Sequence, residues 1–321
     1  MAIVKSLNQM GSIRIADSLF LKRLIATLIS LFCIATATFF LMKAIPGDPF
    51  SDEKALPKEI HDALIRHYAL DEPLITQYLN YLKSALFLDF GPSFKYPTLS
   101  VNQMIALSFP VSLCLGAEAL LIALVGGISL GILAALSQKK WQRGAILLFA
   151  SIGLSIPGYL LAVLLQYVFA IQWKIFPVAR WESWQHTYLP AIALAALPLA
   201  FTARLTYVRL REVLKQEFIL AARAKGLSQT ATLMRHALKN ALLPLLGYFG
   251  QMAANILTGS FVIEKIFGIP GLGRWLVESI GSRDYPVIMG ITLFYSTLLL
   301  FFVFAMDLLH AYFDPRIKAS R

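Results

Sequence analysis

Runs of about twenty residues with little or no charge recur along this chain, and they restrict its fold more than any other feature. As a helix, about 20 apolar residues cross the roughly 30 Å of hydrocarbon in a bilayer. Six runs approach or exceed that length: Leu24 to Met42; Tyr96 to Gln138, with Glu118 as its one charge; Gly144 to Trp173; Thr187 to Ala203, short and carrying Pro190 and Pro198; Asn240 to Ile263; and Tyr285 to Met306. Composition agrees, with 58% hydrophobic and only 15% charged residues, against roughly a quarter charged in a soluble domain. The reading is an all-α, polytopic integral membrane protein with six transmembrane helices. The first run is too long for the apolar region of a signal peptide and no convincing small-residue cleavage site follows it, so it is expected to stay as a membrane helix.

Lysine and arginine give the orientation. With the N-terminus in the cytoplasm, 18 of the 29 basic residues fall on inner segments, while 12 of the 18 acidic residues fall outside. The positive-inside rule therefore favours both termini in the cytoplasm. The expected division is a cytoplasmic segment (1–23), a first transmembrane helix (24–44), a long extracytoplasmic segment (45–103), a transmembrane core (104–311) holding a polar loop (204–240), and a cytoplasmic tail (312–321). The net charge of +11 suggests nucleic acid at first sight. Its placement between apolar runs, rather than on one soluble face, fits membrane topology instead, with the lipid bilayer and no nucleic acid as partner. Cys33 and Cys114 each sit inside an apolar run and read as two small buried hydrophobes. No His or Cys pair has metal-ligand spacing.

The outer segment opens on the turn signal Pro46-Gly47-Asp48-Pro49. A short surface helix follows, with Ile60, Leu64 and His67 or Tyr68 at helical spacing. Elsewhere Gly127 and Gly131 form a G-x-x-x-G pattern, extended by Gly126, that suits close helix packing. Pro157-Gly158, Pro190 and Pro198 are expected to bend their helices. Glu118 is costly at membrane depth, so it either lines a polar path or hydrogen-bonds a neighbouring helix. Gly268 to Arg274, "GIPGLGR", reads as a tight external turn or as a re-entrant scoop.

The polar loop breaks the apolar pattern. Leu210, Leu214, Phe218, Ala221 and Ala222 share one helical face, and Leu227, Ala231, Met234 and Leu238 make a second stripe. Gly226 between them suits a left-handed helix end, and Ser228 suits an N-cap. A pair of short basic helices joined at a glycine is compatible with three roles: lying on anionic lipid, forming a solvated loop, or docking a cytoplasmic partner. The small pair Ala221-Ala222 and the central glycine favour docking, because they permit close backbone approach.

Here the wording becomes specific. "EFILAARAKGLSQTATLMRHALKNALLP", Glu217 to Pro244, resembles the cytoplasmic EAA loop of ABC-importer permeases, in the form of the oligopeptide, dipeptide and nickel permease family. The general pattern has Glu six residues before the glycine and Leu-Pro twelve and thirteen after it; this chain has Leu220, then Leu238 and Lys239. It keeps Ala221, Ala222 and Gly226, and the departures are typical of the peptide/nickel branch. "LMKAIPGDPF", "LDEPLITQYLNYLKSALFLDFGPSF", "IFGIPGLGRWLVESIGSRDYPVIMG" and "DPRI" extend the resemblance over nearly the whole chain. The early "PGDP" and the long first outer segment resemble the B-type subunit of the permease pair.

The resemblance implies a permease subunit of a bacterial inner-membrane ABC importer. Its implied partners are a C-type permease, two ATPases and an extracytoplasmic substrate-binding protein. It implies peptides as the substrate, with nickel or another small solute as the alternative. Ala221, Ala222, Arg223, Lys225, Gly226 and His236 would meet the ATPase, and Glu118 would lie on the substrate path. The sequence carries no G-x-x-x-x-G-K-[ST] phosphate loop, so the implied chain binds no cofactor, is not an enzyme, and depends on ATP used by its partners. A self-sufficient secondary transporter predicts several intramembrane charges or two similar halves. An intramembrane enzyme predicts a constellation of Ser, His or Asp at membrane depth. Neither pattern is legible here.

Overall fold

The computed structural model describes residues 2–45, 47, 49–50, 58–258 and 260–313, with residues 2–20, 246, 257–258, 260, 307 and 309–313 as backbone alone. Pro46 and Asp48 of the expected turn, and residues 314–321 of the expected tail with its "DPRI", lie outside the described residues. Among those described, the elements are helices, and β pairing is confined to one antiparallel bridge between Pro92 and Ser100.

Four helices have the length and apolarity to cross a membrane: Leu21–Ala44 within α1 (Ala2–Ala44), α4 (Val101–Leu136), α7 (Gln185–Val213), and Tyr285–Met306 within α13 (Tyr285–Phe313). The third expected run is not one straight helix. α5 (Lys140–Ser155) stops and the chain restarts as α6 (Gly158–Leu165) with a π-helical turn (Gln166–Gln172), bent by 105°. Pro157 is the cause: it excludes Ile156 from helical angles, and Ile156 adopts φ −84°, ψ 122°. The fifth expected run falls on α10 (Leu238–Thr258) and α11 (Ser260–Phe267). Four spans, or five with the bent pair as one, are thus described.

The chain divides into two compact units, Met1–Ser112 with Pro270–Phe301, and Leu113–Ile269 with Phe302–Arg321. In the first, the expected surface helix is α2 (Lys58–His67), and a second one, α3 (Leu74–Leu86), lies in the long outer segment. Tyr78, Tyr81 and Leu82 of α3 pack on Ala35 and Phe39 of α1 and on Leu293. Tyr78 Oη and Thr36 Oγ1 share a hydrogen bond of 2.7 Å. The start of α4 meets α12 (Leu272–Ser282) and α13 through Val101, Met104, Leu272, Val287 and Ile291. Leu272 N donates to Ser112 Oγ at 2.8 Å, and Trp275 Nε1 to Ser108 Oγ at 2.9 Å. Cys33, expected inside, is exposed, whereas Cys114 is half-buried. The reason is that only 11% of the α1 span is buried within the chain, which leaves its flank for lipid or another subunit.

A buried carboxylate organises that unit. Asp284 is 2% exposed. It accepts hydrogen bonds from Phe94 N (3.1 Å), Lys95 N (3.2 Å) and the Ser93 hydroxyl, and Ser93 Oγ in turn accepts from Tyr96 N at 2.9 Å. Its carbonyl accepts from Ile288 N at 3.0 Å, so the charge sits at the positive end of α13. One residue therefore ties the 93–96 loop to a membrane helix. Burial first, and the Asp284 charge second, push the Tyr68 hydroxyl above its ordinary pKa.

In the second unit α7 is the central helix, with α5, α6, α10 and α11 packed on it and α4 against it at its glycines. It runs as one helix through Pro190 and Pro198. Its buried face is mostly small, with Ala191, Ala195, Ala200 and Ala203 beside Thr202 and Thr206. It also continues through Arg204, Arg209 and Arg211, so the polar loop leaves the helix only after Val213. The glycine pattern packs here, as its spacing predicts. A Cβ on Gly127 would lie 2.6 Å from Thr202 Cβ and 2.8 Å from the Leu199 carbonyl oxygen, and one on Gly131 would lie 2.5 Å from Thr206 Cβ and 2.6 Å from the Ala203 carbonyl oxygen. α4 and α7 therefore touch backbone to backbone.

Gly131→Val should lower the apparent Tm of the purified chain, because overpacking of this kind costs about 1–3 kcal/mol. Gly144→Val, equally helical but with open space around it, should be neutral or slightly stabilising, because valine has the higher helix propensity; thermal unfolding in detergent compares the two. Asp284→Ala leaves three donors without an acceptor, each worth about 1–3 kcal/mol when buried. It should destabilise more than Asp284→Asn in the same assay.

Candidate functional site

The polar loop is built from α8 (Glu217–Ala224), a joint, and α9 (Gln229–Thr232) running into a π-helical turn (Leu233–Ala237) and α10. The joint follows from its residues. Gly226 has φ +85°, where a side chain is strained. Gly226 N donates to Arg223 O at 2.9 Å and Leu227 N to Ala222 O at 3.3 Å. This pairing satisfies the last carbonyls of a helix at a left-handed C-terminal residue. Ser228 then caps α9, its Oγ accepting from Ala231 N at 3.2 Å. Both the glycine end and the serine cap match expectation.

The faces are rotated from those expected. Leu210, Ile219, Ala237 and Ala241 form the buried cluster, with Ile132, Ala135, Val213, Leu214 and Leu233 packed around it. Phe218, Ala221 and Met234, placed by spacing on the inner stripes, are exposed, as is Leu220. Two local breaks account for this. The chain leaves helical register between Val213 and Glu217, so α8 has a phase of its own. The π turn inserts an extra residue per turn, which turns Leu233 and Ala237 inward and Met234 outward.

Of the expected contact residues, Ala221, Arg223, Lys225 and Gly226 are exposed together at the end of α8, Ala222 is buried against the base, and His236 is half-buried in the π turn. Among the described residues, Lys215, Arg223, Lys225, Arg235 and Lys239 carry no ion pair. The outer surface is therefore positively charged, with Phe218, Leu220 and Met234 as bare apolar groups among the charges. Sequence spacing missed these three as surface groups, and the π turn that exposes Met234 has no sequence signature. The buried base joins α4, α7, α8 and α10, so the loop is anchored to the spanning helices α4 and α7 and to α10. A push on α8 reaches them directly, because a close-packed interior does not absorb displacement.

Glu118 belongs to a different place. It is half-buried on α4, fourteen residues before Ile132 of the base and so about 21 Å along the helix at 1.5 Å per residue. No hydrogen bond joins it to another helix among the described residues. The "GIPGLGR" stretch is a turn that leads directly into α12, with Gly268 at φ +61° and Gly271 preceding the helix.

Two family patterns cover most of the chain. The family described as "Binding-protein-dependent transport system inner membrane component" matches residues 127–319, and its companion N-terminal pattern matches residues 18–115. The dipeptide transport system permease protein DppB of Bacillus subtilis is 49% identical over 301 residues, covering 94% of this chain and 98% of the relative. The oligopeptide transport system permease protein OppB of Salmonella typhimurium is 42% identical over 300 residues, covering 93% and 98%. Among solved structures, an amino acid ABC transporter superposes with a TM-score of 0.54 at 18% identity, over 66% of this chain and 94% of that one. The MetNI methionine ABC transporter does so with a TM-score of 0.54, over 65% and 95%. These two show a shared fold. With apolar spanning helices and relatives of this closeness, the chain is a transport subunit of the inner membrane rather than an enzyme. It belongs to the binding-protein-dependent transport system inner membrane components, as a B-type permease subunit of the peptide ABC importers.

Proposed function

We propose that this chain forms one half of a pore that carries short peptides into the cytoplasm, driven by ATP hydrolysed in partner subunits. The identity of 49% over 94% of the chain with a dipeptide permease carries this reading. The names of the relatives, dipeptide and oligopeptide permeases, do not favour nickel. The topology that goes with it has six spans and both termini in the cytoplasm: a segment at 1–23, the first helix at 24–44, the outer segment at 45–103, the permease core at 104–311 and the tail at 312–321. The polar loop 204–240 is then cytoplasmic.

In this reading the loop seats in a groove of an ATPase. Ala221 and Gly226 allow close approach, and Phe218, Leu220 and Met234 bury apolar surface. Arg223, Lys225 and His236 meet polar or acidic groups at the rim. Closure of two ATPases displaces α8, and its rigid base passes the displacement to α4, α7 and α10. This is a two-state element that both the ATPases and the substrate can bias. A C-type permease completes the pore, an extracytoplasmic binding protein delivers the cargo, and Glu118 offers a polar group on the path. ATP is the partners' cofactor; this chain supplies the lever.

Purified alone, the chain should hydrolyse no ATP. With its C-type permease, ATPases and binding protein in vesicles, it should give ATP-dependent uptake of a labelled dipeptide. Uptake of nickel in preference to the peptide would overturn the substrate, and hydrolysis by the lone chain would overturn the subunit role. Leu220→Asp with Met234→Asp should abolish co-purification of the ATPases while changing the stability of the chain by less than about 0.5 kcal/mol, as expected of exposed sites. Normal co-purification of the double variant would remove this face from the interface.

A further inference from the structure

A cleft of about 230 Å³ opens in the first unit between the end of α1, the start of α13 and the helix α3. Its floor is Phe39, Met42 and Lys43 from the end of α1 with Tyr285 and Met289 from the start of α13, and α3 supplies Gln77, Asn80 and Tyr81. The Lys43 ammonium donates to Gln77 Oε1 and lies 5.9 and 5.5 Å from the Phe39 and Tyr285 ring centroids. It has no ion pair among the described residues, so none of its three donors meets a charged acceptor and two are left for a ligand. The Tyr81 hydroxyl is buried with no hydrogen-bond partner. Burial holds it protonated, far above any physiological pH, so it can only seek an acceptor. The site is rigid: Gln77 Nε2 donates to Leu70 O at 3.1 Å and Glu72 O at 2.7 Å, which fixes the 70–72 rim. On that rim stands Glu72, exposed and also without an ion pair.

The cleft thus presents two donors in its depth and one carboxylate at its mouth. It lies where α1 ends and α13 begins, which the proposed topology places at the level of the outer lipid headgroups. α3 adds a second observation. Its outward residues Leu74, Ile75, Leu79 and Leu86, with Phe87 and Leu88 after it, are large, apolar and exposed, as in a helix lying in a membrane interface. An interfacial aromatic setting, a cation and a buried donor suit a phosphate group, and the carboxylate beyond suits an ammonium. We propose that this cleft binds the headgroup of an ethanolamine phospholipid, its phosphate held by Lys43 and Tyr81 and its ammonium by Glu72. The lipid would lock α3 and the outer ends of α1 and α13 together.

The probe is dihexanoyl-phosphatidylethanolamine added to the full chain, purified in detergent with its transporter subunits, and read by native mass spectrometry. The wild type should retain one more ethanolamine lipid than Tyr81→Phe or Lys43→Met, whose affinity should fall about tenfold or more, the consequence of losing a hydrogen bond to a charged group. Glu72→Gln should erase the preference for ethanolamine over glycerol headgroups. Tyr81→Phe removes one oxygen and keeps the ring packing, so it tests the site even where Lys43→Met fails to fold. Unchanged lipid retention in Tyr81→Phe overturns the proposal. So does a wild type that takes the glycerol lipid equally well. Displacement of the lipid by an added dipeptide also overturns it, and would reassign the cleft to peptide. Binding is read without transport, so failure here leaves the peptide-importer reading untouched.

Discussion

The contact between α4 and α7 sets the rest of the second unit. In hydrocarbon, lipid tails are as apolar as leucine, so helices gain little by hiding side chains from them; close packing has to supply the attraction. Gly127 and Gly131 give α4 two points with no side chain, where Thr202 and Thr206 of α7 fill the space to within contact. α7 answers with an alanine-rich face, and Gly153 of α5 comes against Ala200 of α7 in the same way. Thr202 also reaches Met252 of α10 at 3.8 Å. A helix packed this tightly on several sides tolerates Pro190 and Pro198 without breaking, because its neighbours hold its axis where two of its own backbone hydrogen bonds are missing.

That central helix does not end at the apolar boundary. It runs on through Arg204, Arg209 and Arg211, and the polar loop hangs from its end by the Leu210, Ile219, Ala237 and Ala241 cluster. The same residues that bury α8 keep its outer face free for a partner. In the proposed reading the energy for transport enters through this face, from ATP hydrolysed in partner subunits. On that proposal a loose linker would dissipate the motion of an ATPase, whereas a base packed between α4, α7 and α10 would pass it on.

The apolar runs, the surface helix α2, the glycine packing and the Gly226–Ser228 joint were legible because each depends on a local rule: span length, helical spacing, absence of a Cβ, a left-handed end and its cap. The family was legible from the wording of the same loop. The rest depends on contacts distant in sequence or on backbone irregularity. Nothing near Asp284 announces that it holds a loop 191 residues earlier. Ile219 rather than Phe218 turned inward because α8 is phased by its packing and not by continuity with α7. The π turn moved Met234 to the surface in the same way. α3 was legible but missed: Thr76, Gln77, Asn80, Lys83 and Ser84 recur at helical spacing, and Tyr78 and Tyr81 sit three residues apart on the side that meets α1.

The central claim is that the exposed end of α8 is the seat of an ATPase. Placing a photoreactive side chain at Leu220 in the assembled importer and irradiating it in the membrane tests this most directly. The account predicts a covalent adduct between this chain and an ATPase subunit, in high yield and lost when the ATPases are stripped. Adducts to lipid alone, with the ATPases present, would contradict it.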